Sequence, residues 1–419
     1  MTGLVLLALY IAIFGVAMVL VGALARRTRR KDFTSLKTVT FGDESAVRPN
    51  RAASIISVVV IFLLWGAFTG SKYVPFHAPG PFLGEGGFTY TAQDASGRTE
   101  DARVRFIVHE VGDDVDPPAV AEREGFAQDD ATSIDAYRTE LVDVTRNDGE
   151  GVTVVAVNGM PIAPGETVRI DDATVTMTPR GSLEIEPRKG YRIEDIWLPP
   201  PEAVVAALID TAQNGFRDFT LIEHLGWSLI RVLVGFSLGA VVGIPLGYAM
   251  GLSGWFRGWF DPIVEFMRPV PPLALIPLVL IWFGIGESGK FVLLFLAALW
   301  IMAIAARAGV TGVNITKVHA AYSLGASKAQ ILRHVIIPNS LPEIFTGARV
   351  AMGVCWGTVV AAELVAAQKG AGMMIIAASE SQLTHIVLMG IILIGLIGFG
   401  IDILMRKAEN WLVPWKGRS

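Results

Sequence analysis

Cysteine is almost missing from this chain. Its 419 residues include one, Cys355, set in an apolar stretch. An internal disulfide is therefore excluded, and so is a structural zinc site built from four cysteines. Charge is scarce too, at 18% of residues, against about a quarter in ordinary soluble domains. Hydrophobic residues make up 52% and mean hydropathy is +0.50. This is the composition of a polytopic membrane protein with one sizeable soluble insert. The apolar segments hold no Ser/His arrangement, no Asp pair and no His-Glu metal set, which argues against an intramembrane enzyme. A net charge of −4 conceals an uneven spread. Most acidic residues lie between Glu85 and Asp195, whereas basic residues gather at Arg26 to Arg51 and in the loops after Ala305. Such asymmetry is expected when one set of segments faces the cytoplasm and another does not.

Hydropathy divides the chain further. Leu4–Leu24 is long enough to cross a bilayer core of about 30 Å at about 1.5 Å per residue. It is followed directly by Arg26-Arg-Thr-Arg-Arg-Lys31, the reverse of the charge order of a signal peptide. This predicts a retained transmembrane helix over 1–25 with its N-terminus outside, a basic cytoplasmic segment over 26–51 and a second span over 52–70. Residues 71–198 read differently. Short alternating runs such as Ala102–His109 and Gly151–Val157 are separated by Asn158-Gly159, Asp171-Asp172 and Pro179-Arg-Gly181 turn signals, which predicts a β-rich extracytoplasmic domain. His109 with Glu110 is an isolated pair there and reads as structural. An amphipathic interfacial helix is expected within 199–225.

Five spans are expected within 226–412, at Ser228–Met250, Phe260–Gly284, Lys290–Thr311, Leu341–Ala367 and His385–Leu404, before a cytoplasmic tail at 413–419. Seven spans starting outside end inside. The 313–340 loop, with Lys317, Lys328 and Arg333, then falls on the cytoplasmic side, and the acidic domain outside. The expected fold is thus an all-α polytopic core with two extra N-terminal spans and an inserted β-rich extracytoplasmic domain.

The 313–338 loop carries a particular pattern: His319-Ala320-Ala321, three residues, Gly325, nine residues, then Val335-x-Ile337-Pro338. Ala320 and Ala321 are small helix formers that allow another protein to approach closely. Gly325 can take the positive φ of a turn after a short helix. Ala326 follows it, Ser327 suits the N-cap of a second short helix through about His334, and Pro338 suits the start of the next. An ordinary helix-turn-helix loop is the bland alternative. The spacing resembles the "EAA" loop of ABC importer permeases, with His319 in place of the family's Glu.

The resemblance extends from about Ile196 to Lys416. It is carried by Arg268-Pro-Val-Pro-Pro272 within Phe260–Leu273, by Ile281-Trp-Phe-Gly-Ile-Gly286, Ser323-Leu-Gly-Ala-Ser327, Leu341–Gly347 and Val360-Ala-Ala-Glu-Leu364, and by Leu412-Val-Pro-Trp415. These segments are similar to type I permeases for taurine and aliphatic sulfonates, in a group that also handles nitrate and bicarbonate. Roughly the first 190 residues are not covered. The resemblance implies a bacterial inner-membrane homodimer in contact with lipid. Cytoplasmic ATPase subunits would dock at His319, Ala320, Ala321, Gly325, Ala326, Ser327 and Pro338, and a periplasmic binding protein would deliver the solute. ATP and Mg would be used by the partner ATPase; no cofactor is expected on this chain, and no nucleic acid. A membrane receptor or scaffold acting through its β-rich domain is the alternative of a different class.

Other motifs have plainer readings. Gly284-x4-Gly289-Lys290 imitates a P-loop, but Phe291 replaces the Ser or Thr that would bind Mg²⁺, and no strand precedes it. It reads as a tight extracytoplasmic turn. Glu265 and Arg268 share a helix face ahead of Pro271 and Pro272. They are candidates for a pathway or for an interfacial ion pair. Glu363 lies deep in an apolar segment and needs a partner, as a gate or a solute contact. Gly235, Gly239, Gly243 and Gly247 recur every four residues and predict close helix packing.

Overall fold

The computed structural model describes residues 2–28, 51–120 and 123–415. Most of the basic segment 26–51 and the last four residues of the tail lie outside the described residues. The chain divides into two compact units, 1–202 and 203–419.

The first unit holds two apolar helices, α1 (Thr2–Thr28) and α2 (Arg51–Thr69), at the positions read as N-terminal spans. Among the described residues nine strands follow: β1 (Gly84–Gln93), β2 (Thr99–His109), β3 (Asp130–Asp135), β4 (Glu140–Val142), β5 (Thr153–Val157), β6 (Met160–Pro161), β7 (Thr167–Arg169), β8 (Ala173–Met177) and β9 (Leu183–Pro187). They form one sheet ordered β3-β2-β1-β5-β6 and another ordered β4-β9-β8-β7. Alternation drives the fold. Tyr90, Val104, Phe106 and Ile134 of the first sheet and Val175, Leu183 and Ile185 of the second bury into one shared core. Gly86 is required in that core, because a Cβ there would sit 2.5 Å from the Phe106 ring. The turn at Asn158-Gly159 has positive φ at both residues, as a tight hairpin demands. The domain is tied to the end of α2, where Ile193 N–H donates to the Phe68 carbonyl at 2.8 Å.

Within this core lies a polar cluster. The Tyr90 hydroxyl contacts the Gln128 carbonyl at 2.8 Å, Asp148 at 3.1 Å and Asp130 at 3.5 Å. Burial, reinforced by the Asp148 charge, pushes the Asp130 carboxyl up to about 7. Burial also raises Asp148. A carboxyl raised on folding binds its proton more tightly in the native state. Its contribution to stability is complete below the unfolded pKa of about 3.9 and is lost as pH rises through about 7. Hydrogen exchange in β1 and β3, corrected for intrinsic rates, should therefore show more protection at pH 5 than at pH 8. Asp130→Asn should flatten that dependence; an unchanged slope would remove Asp130 from the account.

The second unit is helical: α3 (Pro201–Asn214, whose first two residues belong to the first unit), α4 (Leu221–Leu252), α5 (Gly254–Met267), α6 (Ile276–Phe283), α7 (Glu287–Thr311), α8 (Ile315–Ser323), α9 (Lys328–Ile331), α10 (Ile337–Ala366), α11 (Ala371–Glu380) and α12 (Thr384–Leu412). A capping box between Thr220 and Glu223 starts α4 at Leu221, ahead of the boundary drawn at 226. Among the described residues, four helical stretches are individually long and apolar enough to cross a membrane. The stretch expected as one span at Phe260–Gly284 is broken. Helix α5 stops at Met267, a short 3-10 turn covers Pro272–Leu275, and the two halves are bent by 95°. Pro269, Pro271 and Pro272 supply no backbone N–H and so cannot carry a helical ladder across 268–272.

Helix α7 is the centre of the bundle, packed between α4 and α10. The glycine row of α4 fits this contact. A Cβ on Gly239 would lie 2.5 Å from the Ala298 Cβ and 2.9 Å from the Phe295 carbonyl, and one on Gly243 would lie 2.6 Å from the Leu299 carbonyl. Gly239→Val should therefore force α4 and α7 apart, at a cost of about 1–3 kcal/mol. Buried Cys355 of α10, whose thiol faces the Leu294 carbonyl of α7 at 3.5 Å, provides the readout. A thiol-reactive dye should report unfolding at a lower temperature in the variant. An unchanged midpoint would contradict the packing.

Candidate functional site

Two polar regions interrupt the helical unit, near opposite ends of α7. The first is the connection from α7 to α10. Asn314 caps α8, accepting from Thr316 N–H at 2.9 Å. Helix α8 carries His319, Ala320 and Ala321 and ends in a full Schellman motif: Gly325 N–H donates to the Tyr322 carbonyl at 3.0 Å, and Ala326 N–H to Ala321 at 3.1 Å. Gly325 takes φ +82°, the left-handed conformation this motif needs. Ser327 then forms a capping box with Gln330 at the start of α9.

After α9 the chain does not stop. A π-helical turn over Leu332–Ile336 leads into α10, with Pro338 in its first turn, so the second short helix expected through His334 runs on into the span. Trp415, just beyond α12, donates its indole N–H to the Pro338 carbonyl at 3.1 Å. The connection projects into solvent, with Tyr322 62% and Leu324 87% exposed.

The second region joins the start of α4, the start of α7, the end of α10 and the start of α11. Arg231 of α4 is 1% exposed and Glu363 of α10 is fully buried. Arg231 donates from Nη1 to Glu363 at 2.7 Å and to the Lys369 carbonyl at 2.8 Å. From Nε and Nη2 it holds both oxygens of Glu287 at 2.6 Å. Four of its five N–H donors are thereby engaged. Glu363 also accepts from Ser228 Oγ at 2.7 Å and from Gly372 N–H at 2.9 Å. Lys290 completes the set with a 3.0 Å bond to Glu287. The His224 ring bridges two backbone segments, with Nδ1 3.1 Å from both the N–H and the carbonyl of Gly370 and Nε2 3.0 Å from the Phe216 carbonyl. Gly370 takes φ +147°, and a Cβ at Gly372 would meet the Val360 backbone, so this elbow admits only glycine at both positions.

The candidate pathway residues are not brought together. Glu265 pairs with Arg307 at 2.8 Å and lies 3.8 Å from Arg268, while Arg307 also reaches Asp261. Glu363 sits with Glu287, and positions 287 and 307 are about 30 Å apart along α7. Pro271 and Pro272 mark the helix break. Lys290 of the P-loop look-alike is buried and paired with Glu287 rather than free to meet a phosphate. Sequence reasoning missed Arg231 and Glu287. One signal for Arg231 was present: it is the sole charged residue in the apolar run Ser228–Met250, and such a charge needs a partner.

A bundle of apolar helices of membrane-spanning length, with a buried ionic knot near one end of its central helix and an exposed capped loop near the other, has the make-up of an integral membrane component. The chain belongs to the family described as the binding-protein-dependent transport system inner membrane component, whose profile matches residues 239–413. It is a multi-pass inner-membrane ABC transporter permease. Over 226 residues it is 48% identical to the taurine transport system permease protein TauC of Escherichia coli strain K12, covering 54% of this chain and 82% of the relative. It is 39% identical over 218 residues to the putative aliphatic sulfonates transport permease protein SsuC of the same strain, covering 52% and 81%. Among solved structures, a chain of the inward-facing MetNI methionine ABC transporter is similar at 22% identity and a TM-score of 0.38, covering 45% of this chain and 95% of that one.

Proposed function

We propose that this chain forms the translocation pathway of an ATP-driven importer for taurine or a related small sulfonate. The observation that carries the solute is the 48% identity to a permease named for taurine, supported by the sulfonate permease at 39%. Two copies of the chain assemble, each docking a separate cytoplasmic ATPase subunit at the 313–338 loop. Exposed Tyr322 and Leu324 supply the apolar contacts by which a short helix seats in a partner's groove. His319, Ala320, Ala321, Gly325, Ala326, Ser327 and Pro338 shape that contact.

The chain crosses the membrane seven times, with α1 and α2 as the first two crossings and the broken α5–α6 stretch as one of the others. The N-terminus and the β-rich domain are extracytoplasmic, and the tail is cytoplasmic, as positive-inside counting favours. A periplasmic binding protein delivers solute at the end of the bundle that holds Arg231, Glu287 and Glu363. Helices α7 and α10 both run between the loop and that ionic knot, so closure of the ATPases can be transmitted to the elbow at Gly370. Glu363 acts there by holding the gate rather than by touching solute, because its oxygens are already engaged. Glu265 and Arg268 belong to an ion-paired anchor at the other end.

ATPase activity in lipid nanodiscs tests the reading. The permease is copurified with its ATPase and binding protein, and taurine, sulfonates, nitrate and bicarbonate are added in turn. Stimulation by taurine-loaded binding protein is the expected result. Stimulation by nitrate or bicarbonate alone would replace the solute, and failure of any ATPase to copurify would overturn the importer reading.

A further inference from the structure

The β-rich domain lies outside the family match and has a polar face of its own. Along β1 the odd positions point away from the core, and along β2 so do Arg103 and Arg105, while Ala102, Val104 and Phe106 point in. Strand β2 lies between β1 and β3, so these arginines stand in the middle of a sheet face and not at its edge. Directly across from Arg105 is Gly87, and beside it on β3 is Ala131; neither carries a side chain long enough to cover the arginines. The result is a cleft of about 650 Å³, whose lining also includes Ala119 and Asp172 of the β7–β8 turn. That is ample for a small organic molecule, whose pockets run from about 300 to 1,000 Å³.

The charges of the cleft are mixed. Arg105 is engaged by Glu85 at 2.8 Å and by the Ala119 carbonyl at 3.1 Å. Asp129 is engaged by Arg123 at 3.1 Å. Two groups are left over: among the described residues the Arg103 guanidinium and the Asp172 carboxylate have no side-chain partner. A simple anion drawn to Arg103 would also face Asp172, Glu85 and Asp129, and a simple cation drawn to Asp172 would face the arginines. A molecule carrying both charges satisfies both groups. We infer that this cleft binds a small zwitterion, an amine-bearing sulfonate or carboxylate, with the acid group on Arg103 and the ammonium on Asp172. It would be a site separate from the membrane pathway, present because this chain carries the inserted domain.

The choice of taurine as probe rests on the solute proposed above; the cleft itself does not. Isothermal titration of the full chain in nanodiscs, without ATPase or binding protein, would compare taurine with ethanesulfonate, which lacks the amine, and with ethylamine, which lacks the acid. Taurine should bind, and each single-charge analogue should bind at least about tenfold more weakly, as expected when one charge-assisted contact is lost. Arg103→Gln and Asp172→Asn, both changes of solvent-facing side chains, should each weaken taurine by about tenfold. Equal binding of ethanesulfonate would overturn the zwitterion. Absence of binding, or binding indifferent to both substitutions, would overturn the cleft. An importer that ignores taurine while the permease alone binds it would overturn the solute of transport and leave the cleft standing.

Discussion

Arg231→Met is expected to destabilise the helical bundle by about 3–5 kcal/mol, the range for removing one partner of a buried pair. The reason is the asymmetry of its two carboxylates. Glu363 is fully buried, and without the guanidinium it keeps only the neutral donors Ser228 and Gly372 for a full negative charge. Glu287 is 40% exposed and still has Lys290, so water and one cation can serve it. The companion change Glu287→Gln should therefore cost much less, about 1 kcal/mol, since it retains a hydrogen bond at a half-wet position. Thiol-dye melting at Cys355 reads both. The assignment of Arg231 as the keystone is lost if the two variants melt alike. The Arg231→Met, Glu363→Leu double variant should recover part of the loss, because an apolar pair of similar volume leaves no stranded charge.

Gly325→Val is expected to abolish stable docking of the ATPase while leaving the membrane bundle folded. At φ +82° a residue with a Cβ is strained by about 1–2 kcal/mol, and a β-branched one by more. Space is not the difficulty, since nothing lies within 4 Å of the missing Cβ. The backbone is, and it would relax by opening the Schellman motif and swinging α9 away from α8. Gly325→Asn separates the two causes, because Asn tolerates the left-handed conformation. Pull-down of the ATPase should survive in the Asn variant and fail in the Val variant, with the Cys355 melting midpoint unchanged in both. Equal docking by both variants would take Gly325 out of the coupling account.

What the sequence made legible followed from local rules. The capped loop at 313–338 could be read from spacing because a Schellman turn and an N-cap each need particular residues at fixed offsets, and Gly325 and Ser327 occupy them. The β-rich insert could be read from alternation and from Asn158-Gly159. The row of glycines on α4 announced a close neighbour but not which one; α7 had to be seen. The ionic knot was out of reach for the same reason. Arg231 and Glu363 are 132 residues apart, and periodicity reports which face of a helix is apolar, not which distant residue meets it. Helix α11 was missed because its ten residues, Ala371–Glu380, are too few to register as a span. The break at 268–272 was signalled by its prolines, yet hydropathy ran straight through them and drew one segment.

The backbone-to-backbone seam between α4 and α7 has a kinematic consequence. Where Gly239 and Gly243 lie against the carbonyls of Phe295 and Leu299 and the Cβ atoms of Ala298 and Met302, α4 contributes no side chains to act as a bearing. Neither helix can rotate or slide past the other without a collision along several turns. The pair is a single strut, and the knot at Arg231 welds one of its ends. Any motion that opens and closes a passage must be borne by the joints the strut leaves free. These are the proline break between α5 and α6, the π-helical turn into α10, and the glycine elbow before α11, and an inhibitor of transport would do best to jam one of those three.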